Sequence, residues 1–282
     1  MGSTAPSYLV VGAGVFGAST AYHLVKKYPH ASISLVDRLL YPCPLAASWD
    51  WNKVVRADYG DIFYMEKALE AMQFWRTDPL YKPFYHESGY VKIDDTDLGR
   101  RMIENYKQLK SDISPELAEP EELKKRYNGF FVDTNFDGVK EVFVNTMSGW
   151  AEAKEALKAT IDAAVSAGVK YIEGDITKLT FNKTGGCTGI RMADDAVLEA
   201  DHVILSTGAG TAKLLADSVP EKPELQVNGR MVAAAVITGI VKLNAQDSVQ
   251  YAGIPVSIHG MAGIQGTSPH QRVTRWIYDV KD

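Results

Sequence analysis

The stretch Tyr8-Leu-Val-Val-Gly12-Ala-Gly14-Val-Phe-Gly17-Ala-Ser-Thr-Ala-Tyr-His-Leu-Val25 decides the fold of this 282-residue chain. Its four leading apolar residues predict a strand buried on both faces, which is followed by a glycine-rich turn and a helix. Pro29 ends the helical region, and Ile33-Ser-Leu-Val36 predicts a second strand. Strand, turn, helix and strand in this order indicate the start of a doubly wound α/β fold.

The turn has the G-x-G-x-x-G spacing of a dinucleotide-binding loop, formed by Gly12, Ala13, Gly14, Val15, Phe16 and Gly17. Gly12 permits the tight turn, Gly14 lets the backbone approach a pyrophosphate, and Gly17 allows close packing of helix on strand. The helix N-terminus offers free N–H groups and a partial positive charge to the phosphates. We therefore predict a dinucleotide site, although the motif alone does not separate FAD from NAD.

Two later features refine this prediction. Asp37 follows the second strand, where a carboxylate can accept hydrogen bonds from ribose hydroxyls and would repel the 2′-phosphate of NADP. The apolar run 202–206 ends in Thr207-Gly208-Ala209 and is preceded by a predicted hairpin over 176–192. Such a segment is typical of Rossmann-type flavoproteins and favours FAD, although a parallel strand ending in a tight turn would give the same pattern.

The composition excludes several classes of protein. The 30 Lys+Arg against 35 Asp+Glu give a net charge of −5, so no basic excess is available for nucleic acid. The two cysteines, Cys43 and Cys187, are too few for a disulfide framework or a zinc cluster. No apolar run approaches the roughly 18 residues of a membrane span, and no signal peptide is recognisable. We expect a soluble cytoplasmic monomer without metal, nucleic-acid or membrane partners.

The patterns along the rest of the chain predict further helices and strands, which together with the βαβ start indicate an α+β fold. We predict helices over 62–75, 98–109, 120–127 and 150–165, and strands over 88–93, 169–173, 176–181, 189–192 and 202–206. We expect 41–57 to be irregular and 228–257 to form strands of a second sheet. The expected FAD-binding domain is 1–60 with 150–217, the substrate domain 61–149 with 218–263, and an atypical tail 264–282.

Six motifs together resemble one family. They are Tyr41-Pro-x-Pro44, Ala46-Ala-Ser-x-Asp-x-Asn-Lys53, Arg56-Ala-Asp-Tyr-Gly-Asp61, Trp75-Arg-Thr-Asp-Pro-Leu-Tyr81, Gly149-Trp-Ala-Glu-Ala153 and Tyr251-Ala-Gly-Ile-Pro-Val256. The chain resembles the fungal fructosyl amino acid oxidases (amadoriases), which belong with sarcosine, pipecolate and saccharopine oxidases on the D-amino-acid-oxidase fold. The resemblance covers about residues 5–263 and implies an α+β fold, in which an α/β Rossmann-type FAD-binding domain is joined to a substrate domain with a mixed β-sheet.

The resemblance implies FAD as cofactor and oxidation of the C–N bond of a secondary amine by O₂, giving H₂O₂. Fructosyl amino acids or other N-substituted amino acids are the first expected substrates, with saccharopine, pipecolate and sarcosine as alternatives. Two other hypotheses remain open at this point: a catalytically inert FAD-binding remnant and an NAD-dependent dehydrogenase.

The resemblance also assigns roles to residues. Lys53 matches a basic side chain over the isoalloxazine ring, and Arg56 matches the arginine that holds a substrate carboxylate. A fixed cation stabilises the negative charge of reduced flavin, and arginine grips a carboxylate through two parallel bonds. The alternative is a solvated surface pair. Ala47 and Ser48 match a loop beside the pyrophosphate and ribityl chain. The predicted cofactor-binding residues are Gly12, Ala13, Gly14, Val15, Phe16, Gly17, Asp37, Arg38, Ala47, Ser48, Lys53, Ile176, Thr207 and Gly208.

The resemblance stops near Gly263, whereas family members continue with an oxygen-activating lysine and a flavin-linking cysteine. Lys242, Cys43 and Cys187 match neither position. We therefore expect a shortened chain with unpaired strand edges and exposed apolar surface. Val280-Lys-Asp282 is not a peroxisomal tripeptide, although full-length relatives often carry one.

Overall fold

The computed structural model describes residues 5–234 and 242–260. The strands are β1 (Ser7–Val11), β2 (Ser32–Asp37), β3 (Lys53–Val55), β4 (Tyr85–His86), β5 (Tyr90–Asp94), β6 (Glu116–Ala118), β7 (Val142–Asn145), β8 (Gly149–Ala151), β9 (Lys170–Glu173), β10 (Ile176–Phe181), β11 (Cys187–Met192), β12 (Val197–Glu199), β13 (His202–Leu205) and β14 (Val256–Gly260). The helices are α1 (Val15–Lys27), α2 (Ile62–Thr77), α3 (Leu98–Gln108), α4 (Pro120–Leu123), α5 (Ala153–Ser166), α6 (Thr211–Ser218) and α7 (Ala245–Gln250).

The described residues divide into two units, each made from two separate segments of the chain. The first unit contains residues 5–50 and 153–234, and the second contains 51–152 and 242–260. From the sequence, the chain was expected to pass from one domain to the other after residue 60 and to return at residue 150, and residues 218–234 were assigned to the substrate domain. The structure therefore puts Lys53 and Arg56 in the second unit.

The first unit is built on a parallel sheet with the order β13-β1-β2-β9. The central strands β1 and β2 are the most buried, because successive side chains point to opposite sides and other elements pack on both faces. Val10 packs with Ala18 of α1 and Ile161 of α5 on one side. Val11 packs on the other side with Leu179 and other residues of the antiparallel sheet β10-β11-β12. This sandwich confirms the predicted Rossmann-type arrangement.

The second unit contains a mixed sheet with the order β14-β5-β7-β6, in which β14 and β5 are parallel and the remaining pairs antiparallel. One of its cores joins Met65 of α2 and Met102 of α3 to Tyr90 of β5. A smaller antiparallel sheet has the order β3-β8-β4. The α+β class and the mixed sheet predicted from sequence are confirmed.

Several predicted elements are wrong in detail. Strand β3 lies inside the stretch expected to be irregular, because three residues are too few for a readable alternation. The helix expected from Trp150 begins at Ala153, and Trp150 belongs to β8. Strands were expected over 228–257; the described part of this stretch contains α7 and the first residues of β14, which joins the second unit's mixed sheet. Asn244 caps α7 by accepting from the Asp247 N–H at 2.8 Å. Residues 235–241 and 261–282 lie outside the described residues, so the atypical tail is not tested.

Candidate functional site

The turn between β1 and α1, here called the glycine bend (residues 12–17), packs directly on neighbouring backbone. Gly12 has φ +98°, and a methyl group in place of its hydrogen would lie 2.4 Å from the Ser206 carbonyl oxygen. A methyl group at Gly17 would lie 1.7 Å from the Gly12 carbonyl oxygen. The Gly12 N–H donates to the Val36 carbonyl at 2.7 Å. Both positions therefore require glycine, one for conformation and space, the other for space alone.

The N-terminus of α1 is open to a ligand. Gly14 is its N-cap, no side chain caps the helix, and no acidic residue lies in the first turn. The first N–H groups of a helix have no intrahelical acceptors, so these can bind an anion. Val15 and Phe16 in this turn are 57% and 78% exposed. A methyl group at Gly14 would lie 3.1 Å from Ser48 Oγ, which brings the turn containing Ala47 and Ser48 beside the bend.

Asp37 ends β2 with its carboxylate against the bend. Oδ2 accepts from the Ala13 N–H at 2.7 Å, and Oδ1 accepts from the Arg38 N–H at 2.7 Å. Each carboxylate oxygen can accept a further hydrogen bond, so both remain able to bind ribose hydroxyls. The Asp37 carbonyl accepts from the Gly174 N–H at 2.8 Å, which brings the start of β10, and with it Ile176, to the same end of the sheet.

Thr207 and Gly208 lie at the same end of the parallel sheet, where the strands have their carboxyl ends. The Ser206 N–H donates to the Val11 carbonyl at 2.7 Å, so the end of β13 lies beside the end of β1. Gly208 has φ +52° and open space around it. The first unit thus gathers the glycine bend, Asp37, Thr207 and Gly208 at the carboxyl ends of its strands. Nucleotides bind at this edge in open α/β sheets. These residues fit a dinucleotide because the bend leaves the N-terminus of α1 uncapped and the space around Gly208 is open.

The guanidinium of Arg56 is a half-buried cation in the second unit. Its guanidinium carbon lies 4.3 Å from the ring centre of Tyr59 and 5.5 Å from that of Tyr90, and Nη1 donates to the main-chain carbonyl of Asp58. Within the described ranges no carboxylate forms an ion pair with it. Lys53, at the start of β3, is exposed and pairs with Ala151 of β8. A half-buried guanidinium that is not engaged in an ion pair is suited to binding an anion.

The sequence analysis missed a buried polar group directly after Arg56. Asp58 is 2% exposed, and its carboxylate accepts from Tyr106 Oη at 2.8 Å, Asn145 Nδ2 at 2.7 Å and Ser148 Oγ at 2.7 Å. Burial raises the pKa of Asp58, and the three donors and the nearby Arg56 offset part of that effect. The only sequence signal was an acidic residue inside the motif that begins at Arg56.

The glycine bend, the carboxylate beside it and the parallel sheet together define a dinucleotide-binding protein of the Rossmann type. The chain belongs to the family DAO, FAD dependent oxidoreductase, which matches residues 7–260. This confirms the resemblance recognised in the sequence motifs and FAD as the cofactor.

Individual relatives agree with the family. L-saccharopine oxidase of Schizosaccharomyces pombe is 30% identical over an alignment of 217 positions that covers 71% of this chain and 50% of that protein. The peroxisomal sarcosine oxidase of Homo sapiens is 25% identical over an alignment of 215 positions that covers 73% of this chain and 51% of that protein. The fructosamine oxidase Amadoriase II of Aspergillus fumigatus shares the fold, with a TM-score of 0.69 and 24% identity over 92% of this chain and 57% of that one. The chain spans about half the length of the curated relatives it matches.

Proposed function

We propose that this chain is an FAD-dependent oxidase of secondary amines, which uses O₂ to oxidise the C–N bond of an N-substituted amino acid and releases H₂O₂. The observation that carries the proposal is the half-buried Arg56 guanidinium, with which no carboxylate of the described residues forms an ion pair. It occurs in a chain whose family binds FAD. Bound FAD supplies the acceptor for a hydride equivalent from the amine.

Arg56 binds the substrate carboxylate in this proposal. Its fork of N–H donors matches a carboxylate in a bidentate geometry that lysine cannot reproduce. The Tyr59 and Tyr90 rings restrict the guanidinium by stacking and cation–π attraction. The carboxylate then holds the bound amine in place, which orients its C–N bond.

The cofactor contacts are proposed from the geometry of the first unit and from the family resemblance. The helix N-terminus at Gly14 would hold the pyrophosphate, and Asp37 the ribose hydroxyls. The remaining proposed contacts are Gly12, Ala13, Val15, Phe16, Gly17, Arg38, Ala47, Ser48, Ile176, Thr207 and Gly208. Lys53 is proposed as the basic side chain near the isoalloxazine ring, on the resemblance alone.

The substrate class is an amino acid with a carboxylate next to a secondary amine. Fructosyl amino acids, saccharopine, pipecolate and sarcosine all have this unit, so Arg56 could bind each of them. Fructosyl amino acids are the first choice from the sequence motifs. Saccharopine is the second candidate, favoured by the relative named L-saccharopine oxidase at 30% identity.

The cellular setting is also a proposal. Within the described residues no helix combines the length and apolarity needed to cross a membrane. We propose a cytoplasmic monomer that acts on a small molecule and O₂. A peroxisomal location is the alternative, supported by the relative named peroxisomal sarcosine oxidase.

The test is reduction of bound flavin in the purified protein without oxygen. Fructosyl-valine or saccharopine should bleach the visible flavin absorption, and admission of air should restore it with release of H₂O₂. A flavin-containing protein that none of the four amines bleaches would contradict the oxidase proposal. A protein that contains flavin but is inert would support the FAD-binding remnant, a colourless or aggregated product would support a poorly folded remnant, and a nicotinamide requirement would support a dehydrogenase.

Arg56→Ala should raise KM for the carboxylate substrate by roughly 30- to 1000-fold, because a charge-assisted bidentate contact in a desolvated site contributes about 2–4 kcal/mol. The matched control is Arg100→Ala, since Arg100 is an exposed arginine already paired with Glu141 at 2.5 Å. Arg100→Ala should leave KM unchanged. An unchanged KM in Arg56→Ala would remove Arg56 from the site.

A further inference from the structure

Four buried polar residues of the second unit form one hydrogen-bonded group, here called the Asp58 cluster (Asp58, Tyr106, Asn145 and Ser148). Each is at most 2% exposed. They come from the segment after β3, from α3, from the end of β7 and from the turn before β8. The cluster therefore ties one short segment, residues 56–59, to three separate elements of the same unit.

The cluster leaves its members little freedom. The Asp58 carboxylate accepts three hydrogen bonds, and Asn145 Nδ2 also lies 3.2 Å from Ser148 Oγ. The side-chain oxygen of Asn145 accepts from the Met147 N–H at 3.0 Å. A buried polar group that loses its partner is costly, so a fully bonded network of this kind fixes one conformation.

Arg56 is hydrogen-bonded to the main chain of Asp58, not to its side chain. The Asp58 carbonyl oxygen accepts from Arg56 Nη1, while the Asp58 side chain is held by the cluster. The next residue, Tyr59, supplies the ring 4.3 Å from the guanidinium carbon. The hydrogen-bond acceptor and the aromatic wall for Arg56 are thus both carried by the segment that the cluster holds in place.

We propose that Asp58 is a positioning residue, whose buried carboxylate fixes the carbonyl and the tyrosine that orient the Arg56 guanidinium for a carboxylate ligand. The inference rests on the proposed role of Arg56 in substrate binding. Arginine loses several side-chain rotamers when it binds, and a guanidinium already held in place loses fewer. Breaking the cluster should therefore weaken the binding of a carboxylate, and this effect should disappear when Arg56 is absent.

The test uses acetate as the carboxylate probe and the Nε–H NMR signal of Arg56 as the readout, with the signal assigned by its loss in Arg56→Ala. Asp58→Ala should increase the mobility of this N–H group and weaken acetate binding about tenfold. Asp58→Asn should retain most of the acetate affinity and most of the order of the Arg56 N–H group, because an amide there can accept from Tyr106 and Asn145 and donate to Ser148. Ser148→Ala removes one donor to Asp58 and the weaker acceptor of Asn145 Nδ2. It should give a smaller loss of acetate affinity, about threefold, and serves as the test if Asp58→Ala does not fold.

The matched control is Ser257→Ala, because Ser257 is another fully buried serine of the second unit, whose Oγ donates to the Pro255 carbonyl at 3.4 Å. It should leave acetate affinity and Arg56 mobility unchanged. In the Arg56→Ala background, Ser148→Ala should have no further effect on acetate binding.

The outcomes separate this inference from the proposed function. If Arg56→Ala itself leaves acetate affinity unchanged, the role of Arg56 fails and the positioning role fails with it. If Arg56→Ala weakens acetate but Asp58→Ala and Ser148→Ala do not, only the positioning role is overturned. The same holds if Ser148→Ala weakens acetate equally with and without Arg56, since that would indicate a general structural effect.

Discussion

Asp58 shows what a residue's neighbours in sequence can and cannot reveal. The glycines of the bend and Asp37 were assigned from the sequence because their spacing carries their role. The three partners of Asp58 lie 48, 87 and 90 residues away along the chain. No local pattern links such positions, so the Asp58 cluster could be found only in the folded protein. The role of Arg56 is proposed from the resemblance, whereas the contacts that hold Arg56 in place are seen only in the structure.

The raised pKa of Asp58 predicts a pH dependence of stability. Its folded pKa lies above the ordinary value of 3.8 because burial disfavours the charged form. A raised folded pKa contributes stability that is fully present below the unfolded pKa and is lost as pH rises through the folded pKa. The free energy of unfolding of the unaltered protein should therefore fall, relative to that of Asp58→Asn, as pH rises from about 4.

Urea unfolding of both proteins at a series of pH values between 4 and 7 measures this difference. The slope cannot exceed about 1.4 kcal/mol per pH unit for a single group. A difference in the free energy of unfolding that stays constant over this range, or that grows in favour of the unaltered protein at higher pH, would contradict a pKa of Asp58 raised by burial.

The elements of the first unit were the easiest to predict. A strand buried on both faces gives a continuous apolar run, and β1, β2 and β13 were each found within two residues of their bounds. Strands β3, β8 and β12 have three residues each, too few to establish a period of two. Strand β8 was also absorbed into the helix prediction, because Trp150 and Ala151 continue the apolar pattern of α5.

The packing of α1 on the end of β1 depends on Gly17. A methyl group there would lie 1.7 Å from the Gly12 carbonyl oxygen, so the backbone itself must move. Gly17→Ala should lower the free energy of unfolding by about 1–3 kcal/mol or more, as overpacking of a filled interior does. The control is Gly14→Ala, where the methyl group would lie 3.1 Å from the movable Ser48 hydroxyl and should cost much less. Equal stabilities in urea unfolding would contradict the close packing of helix on strand.

The whole molecule is two units, each assembled from two distant segments of the chain. The family match over residues 7–260 runs through both units. Composition and motifs predicted the α+β class and the family. The chain passes to the second unit after Asp50, whereas the sequence analysis expected residue 60, because the resemblance to a cofactor loop continues past Asp50 and no proline or glycine marks the change. Substrate choice stays a prediction, since the chain spans about half of its curated relatives.

The central claim, that the glycine bend and Asp37 bind FAD, is tested most directly by titrating the FAD-free protein with FAD and following the quenching of flavin fluorescence. Asp37→Ala should weaken FAD about ten- to a hundredfold, since hydrogen bonds to a charged group contribute about 1.5–3 kcal/mol. The control is Asp201→Ala, because Asp201 also accepts a main-chain N–H, that of Ser7 at 2.8 Å, but at the start of β1. FAD should bind the Asp201→Ala protein as tightly as the unaltered one. Equal affinity in the Asp37→Ala protein, or no saturable binding in the unaltered protein, would contradict the account.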